Sequence, residues 1–195
     1  MSLMVNLSDA DLKRIVDEVV SSLMREMPSQ VGHPQPEINP QAIQPSAAGQ
    51  KTVAIGADHG GFPLKETLKG FLSEAGYQVI DCGTSSTESV DYPDFAQTVA
   101  QLVASGKAWR GIMIDGAGIG SCMAANKVHG VRAAMCYDHA TASNSREHNN
   151  ANLLTLGAGL IGPSLAKQIV TTFLETEFGG GRHARRVDKI MAIES

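Results

Sequence analysis

The chain has 195 residues, 43% of them hydrophobic, and a formal net charge of -4. That is enough for one well-packed α/β core plus a tail, and it supplies no uniform basic field, so nucleic acid is not the expected partner. No apolar run reaches the roughly 18 residues of a membrane span and no secretory signal opens the chain, so no membrane partner is expected either.

From Ser8 to Met27, Leu12, Ile15, Val16, Val19, Val20, Leu23 and Met24 follow helical spacing, with Lys13, Arg14, Asp17, Glu18 and Arg25 on the other side. This predicts one amphipathic helix within residues 1–27. Residues 28–50 hold Pro28, Pro34, Pro36, Pro40 and Pro45 with few bulky side chains, so they read as an extended linker that cannot offset its own ordering entropy. The compact domain is expected over residues 51–195.

Within it, strands and helices alternate. Strands are expected at 52–56, 78–81, 111–115, 131–136 and 152–157, and helices at 63–75, 95–105, 118–127, 140–149, 164–175 and 183–193. Five short apolar strands interleaved with helices predict a Rossmann-like, doubly wound five-stranded parallel sheet, with ligands at the carboxyl ends of its strands. The N-terminal helix and its linker are additions to that α/β domain.

Several segments carry candidate chemistry. The third strand ends on Asp115 and runs into Gly116-Ala-Gly118-Ile-Gly120 before a helix. These glycines remove side chains that would hold a ligand away from the backbone, so amides can meet an anion beside a carboxylate. The spacing does not fit the dinucleotide fingerprint. Asp58 and His59 close the first strand and belong to the same sheet edge as Asp115. His148 can shuttle a proton and Asn149 can donate to an oxyanion. Arg182 and Arg186, four apart on one helix face, suit a phosphate. Cys82, Cys122 and Cys136 form no C-x-x-C pair and the histidines show no ligand spacing, so neither metal nor cofactor is expected and the compartment is expected to be reducing and cytoplasmic.

Together, Gly56-Ala-Asp-His-Gly-Gly-Phe62, Asp81-Cys-Gly-Thr84, Ser89-Val-Asp-Tyr-Pro93, Ala124-Ala-Asn-Lys127, Arg146-Glu-His-Asn-Asn150 and Gly180-Gly-Arg-His-Ala-Arg-Arg186 resemble the family of ribose-5-phosphate isomerase B and galactose-6-phosphate isomerase over residues 51–194. The resemblance implies a metal-free aldose–ketose isomerase of a sugar phosphate, moving a proton between C1 and C2 through an enediolate. It implies Asp58 and His148 for ring opening, and His59, Arg182 and Arg186 for phosphate. Asn149 with Gly116, Gly118 and Gly120 would hold the enediolate. It also implies a homodimer or homotetramer with shared active sites.

Three positions depart from the family pattern: Asp115 stands where many members place a cysteine base, Ala117 where they have threonine, and Gly159 where they have arginine. The glutamate base of other members falls at Ser121. Asp115 is then the expected base, since burial can bring a carboxylate toward neutrality, with Cys122 in the next helix a rival. The alternative is a non-catalytic sugar-phosphate-binding subunit that needs a cysteine-bearing partner. Residues 1–27 on their linker resemble the peptides that bind the shell proteins of bacterial microcompartments, which implies a microcompartment lumen within the cytoplasm.

Overall fold

The computed structural model describes residues 51–194 and, nearer the N-terminus, Lys13, Arg14, Asp17 and Glu18, which are helical and exposed. The remainder of the helix expected within residues 1–27, and the linker expected over 28–50, lie outside the described residues.

The elements from Lys51 onward are β1 (Thr52–Ala57), α1 (Phe62–Glu74), β2 (Gln78–Asp81), α2 (Tyr92–Ala104), β3 (Arg110–Asp115), α3 (Ile119–Ala125), β4 (Ala133–Met135), α4 (His139–Glu147), β5 (Leu153–Gly157), α5 (Pro163–Glu175) and α6 (Arg182–Met191), closed by a 3-10 turn at Ala192–Glu194. The strands form one sheet in the order β2-β1-β3-β5-β4, and every pairing is parallel. Prolines sit in the first turn of α1, α2 and α5, where their missing N–H and fixed φ favour a helix start.

Alternation along the strands assigns the two faces. Val53, Ile55, Ile112, Ile114, Leu154 and Leu156 pack with α1, α4 and α5 through Leu68, Ala142 and Phe173. Ala54, Ile80, Met113 and Leu153 pack with α2 and α3 through Phe95, Val99 and Ala125. Helices thus cover both faces, as a doubly wound parallel sheet requires. The chain steps outward from β1 to β2 and then returns to β3 on the other side of β1, so the crevice at the carboxyl ends of β1 and β3 is the topological switch point where such folds bind ligands.

One buried ion pair ties helix to sheet. The Lys65 side chain is 2% exposed and its Nζ reaches both oxygens of Asp81 at 2.9 and 2.7 Å; Lys69 reaches Asp81 Oδ2 at 2.6 Å. Burial alone would raise the Asp81 pKa, but these ammonium groups and the Gly83 amide outweigh it and hold the carboxyl below its ordinary 3.8. A depressed carboxyl pKa contributes stability above the unfolded value, and that stability is lost as pH falls through the folded value. Asp81→Asn is therefore expected to cost about 2 kcal/mol at neutral pH, less than a fully buried pair would. The gap between its melting temperature and that of the unaltered protein should close on acidification below the ordinary carboxylate range.

Candidate active site

Asp58 follows the last residue of β1 and Asp115 is the last residue of β3: Ala57 pairs with Ile114, and the Asp58 amide donates to the Ile114 carbonyl at 3.2 Å. Gly61 allows the turn after β1, because a Cβ there would lie 2.4 Å from the Ile114 carbonyl oxygen. His59 is fixed at Val90, whose amide nitrogen and carbonyl oxygen both lie 3.2 Å from Nδ1. Asp58, His59 and Asp115 thus lie together at the carboxyl ends of β1 and β3.

The two carboxylates have different surroundings. Asp115 is 4% exposed. Its Oδ1 accepts the amides of Ala117 (2.8 Å) and Gly118, and its Oδ2 accepts the Ser121 amide (3.0 Å) and hydroxyl (2.5 Å). A carboxylate has about four lone-pair sites, so this one is saturated. The role of base expected for Asp115 meets an obstacle here, because taking a proton would displace one of four donors. The carboxylate is placed instead as the anchor of the glycine loop and the cap of α3, which has no other side-chain cap.

Asp58, also nearly buried at 6% exposure, accepts the Gly61 amide at 3.0 Å and no side-chain donor among the described residues. Desolvation raises its pKa above the ordinary 3.8, and the Asp115 charge adds to the rise against the lowering effects of the turn amides and His59.

The loop divides its glycines by task. Gly118 has φ +79, and a Cβ there would stand 2.9 Å from the Leu156 carbonyl carbon, so its conformation and the close packing both require glycine. Its N–H is spent on Asp115. The amides of Gly116, Ile119 and Gly120 have no acceptor among the described residues, which leaves them to a ligand. The Tyr92 ring covers Gly120, leaving no space for a Cβ.

The cysteines are poorly placed as bases. Burial pushes Cys82 up to about 12 and Cys136 up to about 11. Cys122 is raised by burial too, and its thiol is turned to the Ala133 carbonyl at 3.4 Å. No three His, Cys, Asp or Glu side chains gather as a metal site would need among the described residues.

His148, Asn149, Arg182 and Arg186 lie elsewhere. Helix α4 starts beyond the carboxyl end of β4 and returns the chain to the start of β5. The Asn152 carbonyl accepts the Gly111 amide at 3.0 Å, at the foot of β3 and four residues before Asp115. Four strand residues span ~13 Å. The His148 ring stacks on His183 with centroids 4.3 Å apart and planes within 2°, and Gly179 donates to the Glu147 carbonyl at 2.9 Å. These contacts bind the start of α6, with exposed Arg182 and Arg186, to the end of α4. The Asn144 side-chain nitrogen lies 2.8 Å from His148 Nδ1 and orients the ring. Asn149 turns its amide to Asn144, at 3.3 Å from both the carbonyl and the side-chain oxygen. One chain therefore holds two groups of site residues at opposite ends of its sheet.

Arg146 fixes the second group and was not singled out by sequence. It is 2% exposed and donates to Thr176 O (3.3 Å), Asn150 Oδ1 (2.9 Å) and Ala151 O (2.5 Å). It joins the end of α4 to the end of α5 and shapes the turn in which Asn150 adopts φ +48. Its spacing held a signal, since Ala142, Ser145 and Arg146 are the buried positions of α4 and lie one helical turn apart. Ser121, entered only as a missing glutamate, proves to be a partner of Asp115. At Gly159, where an arginine would fall, the chain contributes only an amide, which donates to Gly116 O at 3.0 Å.

The model of one family, Ribose/Galactose Isomerase, matches residues 53–190. Ribose-5-phosphate isomerase B of Escherichia coli is 46% identical over 144 residues, covering 74% of this chain and 97% of that protein. D-erythrulose-4-phosphate isomerase of Pectobacterium atrosepticum is 46% identical over 140 residues, covering 71% and 92%. The solved structure of Clostridium thermocellum ribose-5-phosphate isomerase B superimposes with a TM-score of 0.73 at 55% identity, covering 73% of this chain and 97% of that one.

Proposed function

The chain belongs to the ribose/galactose isomerase family, and from that premise we propose that it isomerises an aldose phosphate to a ketose phosphate in a site completed by a second copy of itself. The observation that carries this reading is the division of the site residues between opposite ends of one sheet, with Asp58, His59 and Asp115 at the carboxyl end and the loop bearing His148 and Asn149 beside Gly111 at the foot of β3. Isologous pairing lets each end of one copy meet the other end of its partner and generates two equivalent sites. A homodimer satisfies this, and so does a homotetramer built from two such pairs.

In the assembled site, the guanidinium groups of Arg182 and Arg186 from one copy and the imidazole of His59 from the other grip the phosphate. The free amides of Gly116 and Gly120 and the side chain of Asn149 hold the oxygen that turns negative as the enediolate forms. His148 moves protons between sugar oxygens. Asp115 keeps the loop amides aimed. Without a guanidinium at residue 159, this edge of the cleft has one cation fewer than the family pattern, so phosphate binding depends on α6.

The names of the two relatives pair the same family with a five-carbon and a four-carbon sugar phosphate, so chain length is the property to measure. The pure protein is expected to turn over at least one member of a panel of tetrulose, pentose and hexose phosphates without added metal. A protein that binds these compounds yet converts none of them would instead be the non-catalytic subunit of a mixed assembly.

Residues 1–50 are assigned to cargo delivery, with the amphipathic segment in residues 1–27 docking on a microcompartment shell protein. Its sequence supports this reading, since one side is apolar and the other mixes both charges, which suits a protein groove better than an anionic membrane. Fusing residues 1–50 to a fluorescent protein should give puncta in shell-producing cells. Diffuse fluorescence there would reject the assignment.

A further inference from the structure

Proton transfer between two carbons needs a group with an open lone pair facing the substrate, and the four donors on Asp115 leave it none. Freeing one of its lone pairs would strand a buried amide or the Ser121 hydroxyl. Ser121 is itself fully buried, so no solvent stands by to replace it. The three cysteines are held as thiols. His59 is pinned through Nδ1, and His148 of the second copy is given to the protons on the sugar oxygens.

Asp58 differs on each count. It occupies the same crevice, one strand over from Asp115, and its bonds come from the Gly60–Gly61 turn. Among the described residues only backbone amides of that turn reach the Asp58 carboxyl, whereas three amides and a hydroxyl fill the lone pairs of Asp115. The neighbouring Asp115 charge and the low exposure favour the proton-bearing form of Asp58 more than in water, which brings a carboxyl closer to the pH at which it can both take and return a proton. A pair of carboxyl groups in one site, one saturated by donors and one held only by its own turn, divides the work between an anchor and a proton carrier.

We infer that Asp58 is the group that carries hydrogen between C2 and C1, and that it does so after serving the ring-opening step. This rests on the isomerase reading above. In ring opening, protonated Asp58 gives its proton to the ring oxygen while His148 of the second copy takes the anomeric hydroxyl proton, and the C1–ring-oxygen bond breaks as the C1 carbonyl forms. Asp58, now a carboxylate, removes the C2 hydrogen; that C–H electron pair becomes the C1–C2 double bond, and the carbonyl π pair moves to O1. The imidazolium protonates O1. Asp58 then returns its proton to C1 as the imidazole accepts the O2 proton and the C2 carbonyl closes. Passage of one proton from the imidazolium back to Asp58 through solvent restores the starting site, so no atom or electron is gained or lost and no co-reactant is needed.

The test separates the two duties of Asp58 by using ketose phosphates that cannot form a five-membered ring. D-ribulose 5-phosphate and D-erythrulose 4-phosphate stay open-chain, so exchange of their C1 hydrogens with D2O, followed by NMR, reads carbon proton transfer without ring opening. Whichever of the two the unaltered protein exchanges is the probe. Asp58→Asn should lower that exchange by about 10³-fold, with KM for the probe changed far less than kcat. It should fold at least as well as the parent: a carboxyl pKa raised by folding means that ionised Asp58 costs stability at neutral pH, a cost the neutral amide lacks. If Asp58→Asn exchanges the probe at the parental rate and fails only with cyclic aldose phosphates, the carbon proton travels on another group and the inference is wrong. If the unaltered protein exchanges neither ketose, isomerisation of four- and five-carbon sugar phosphates fails first, a result read on a different sample.

Discussion

Asp115→Ala is expected to lower the stability of the domain by about 3–5 kcal/mol and to abolish turnover in whatever fraction remains folded. The magnitude follows from what the carboxylate holds. The amides of Ala117, Gly118 and Ser121 and the Ser121 hydroxyl all donate to it, and a buried donor left without a partner costs about 1–3 kcal/mol. Partial relaxation of the loop and entry of water keep the sum below four full penalties. In a domain of this size that corresponds to a drop in melting temperature of roughly 10 °C.

Asp115→Asn should come close to the same result, because its NH2 group faces two donors and can accept from neither. Melting temperature is therefore the informative readout. A simple proton carrier replaced by its amide would lose turnover and keep its stability; an anchor loses both. The same loop explains why activity falls with stability, since the amides of Gly116 and Gly120 are aimed only while Asp115 holds the turn between them.

These particulars show where the sequence spoke and where it was silent. The ends of β1 and β3 were legible because the apolar run stops at a polar residue, as Ala57 does at Asp58 and Ile114 at Asp115. The doubly wound class followed from the strand–helix rhythm. Element boundaries slipped where side chains replaced backbone pairing. β4 was expected over 131–136 and spans Ala133–Met135, because the Asn126 side chain bonds both the N–H and the carbonyl of Ala133 and the Asn152 side chain takes the Arg132 amide. α2 begins at Tyr92, three residues before its first apolar contact, since Pro93 in the first turn favours a helix that hydrophobic spacing does not register.

The site was legible as a set of residues and less so as a set of roles. Alternating glycines suggest free amides, yet the loop spends the Gly118 amide on Asp115. That is a tertiary property of a six-residue turn, invisible to a pattern read one residue at a time. Lys65 and Arg146 received no role of their own from the sequence, though both fall on the buried stripe of their helices. A charge at core spacing is the one signal that could have marked them.

The division of the site between two copies makes a further prediction of large effect. Asp58→Asn removes a group from one end of the sheet and Arg186→Ala removes one from the other, so a homo-oligomer of either variant has every site damaged. A mixed pair has one site carrying both lesions and one carrying neither. Each variant alone should retain under about 1% of parental kcat/KM, given the 10²–10⁴-fold contribution of a positioned acid–base group and the desolvated charge pairing at a phosphate. Random assortment of the two chains yields half mixed pairs, each with one intact site of two. The most direct measurement is therefore the activity of the co-expressed variants, which should recover to roughly a quarter of the parental value. A co-expressed preparation no more active than the separate variants would contradict the account, because it would place all the working residues of each site within a single chain.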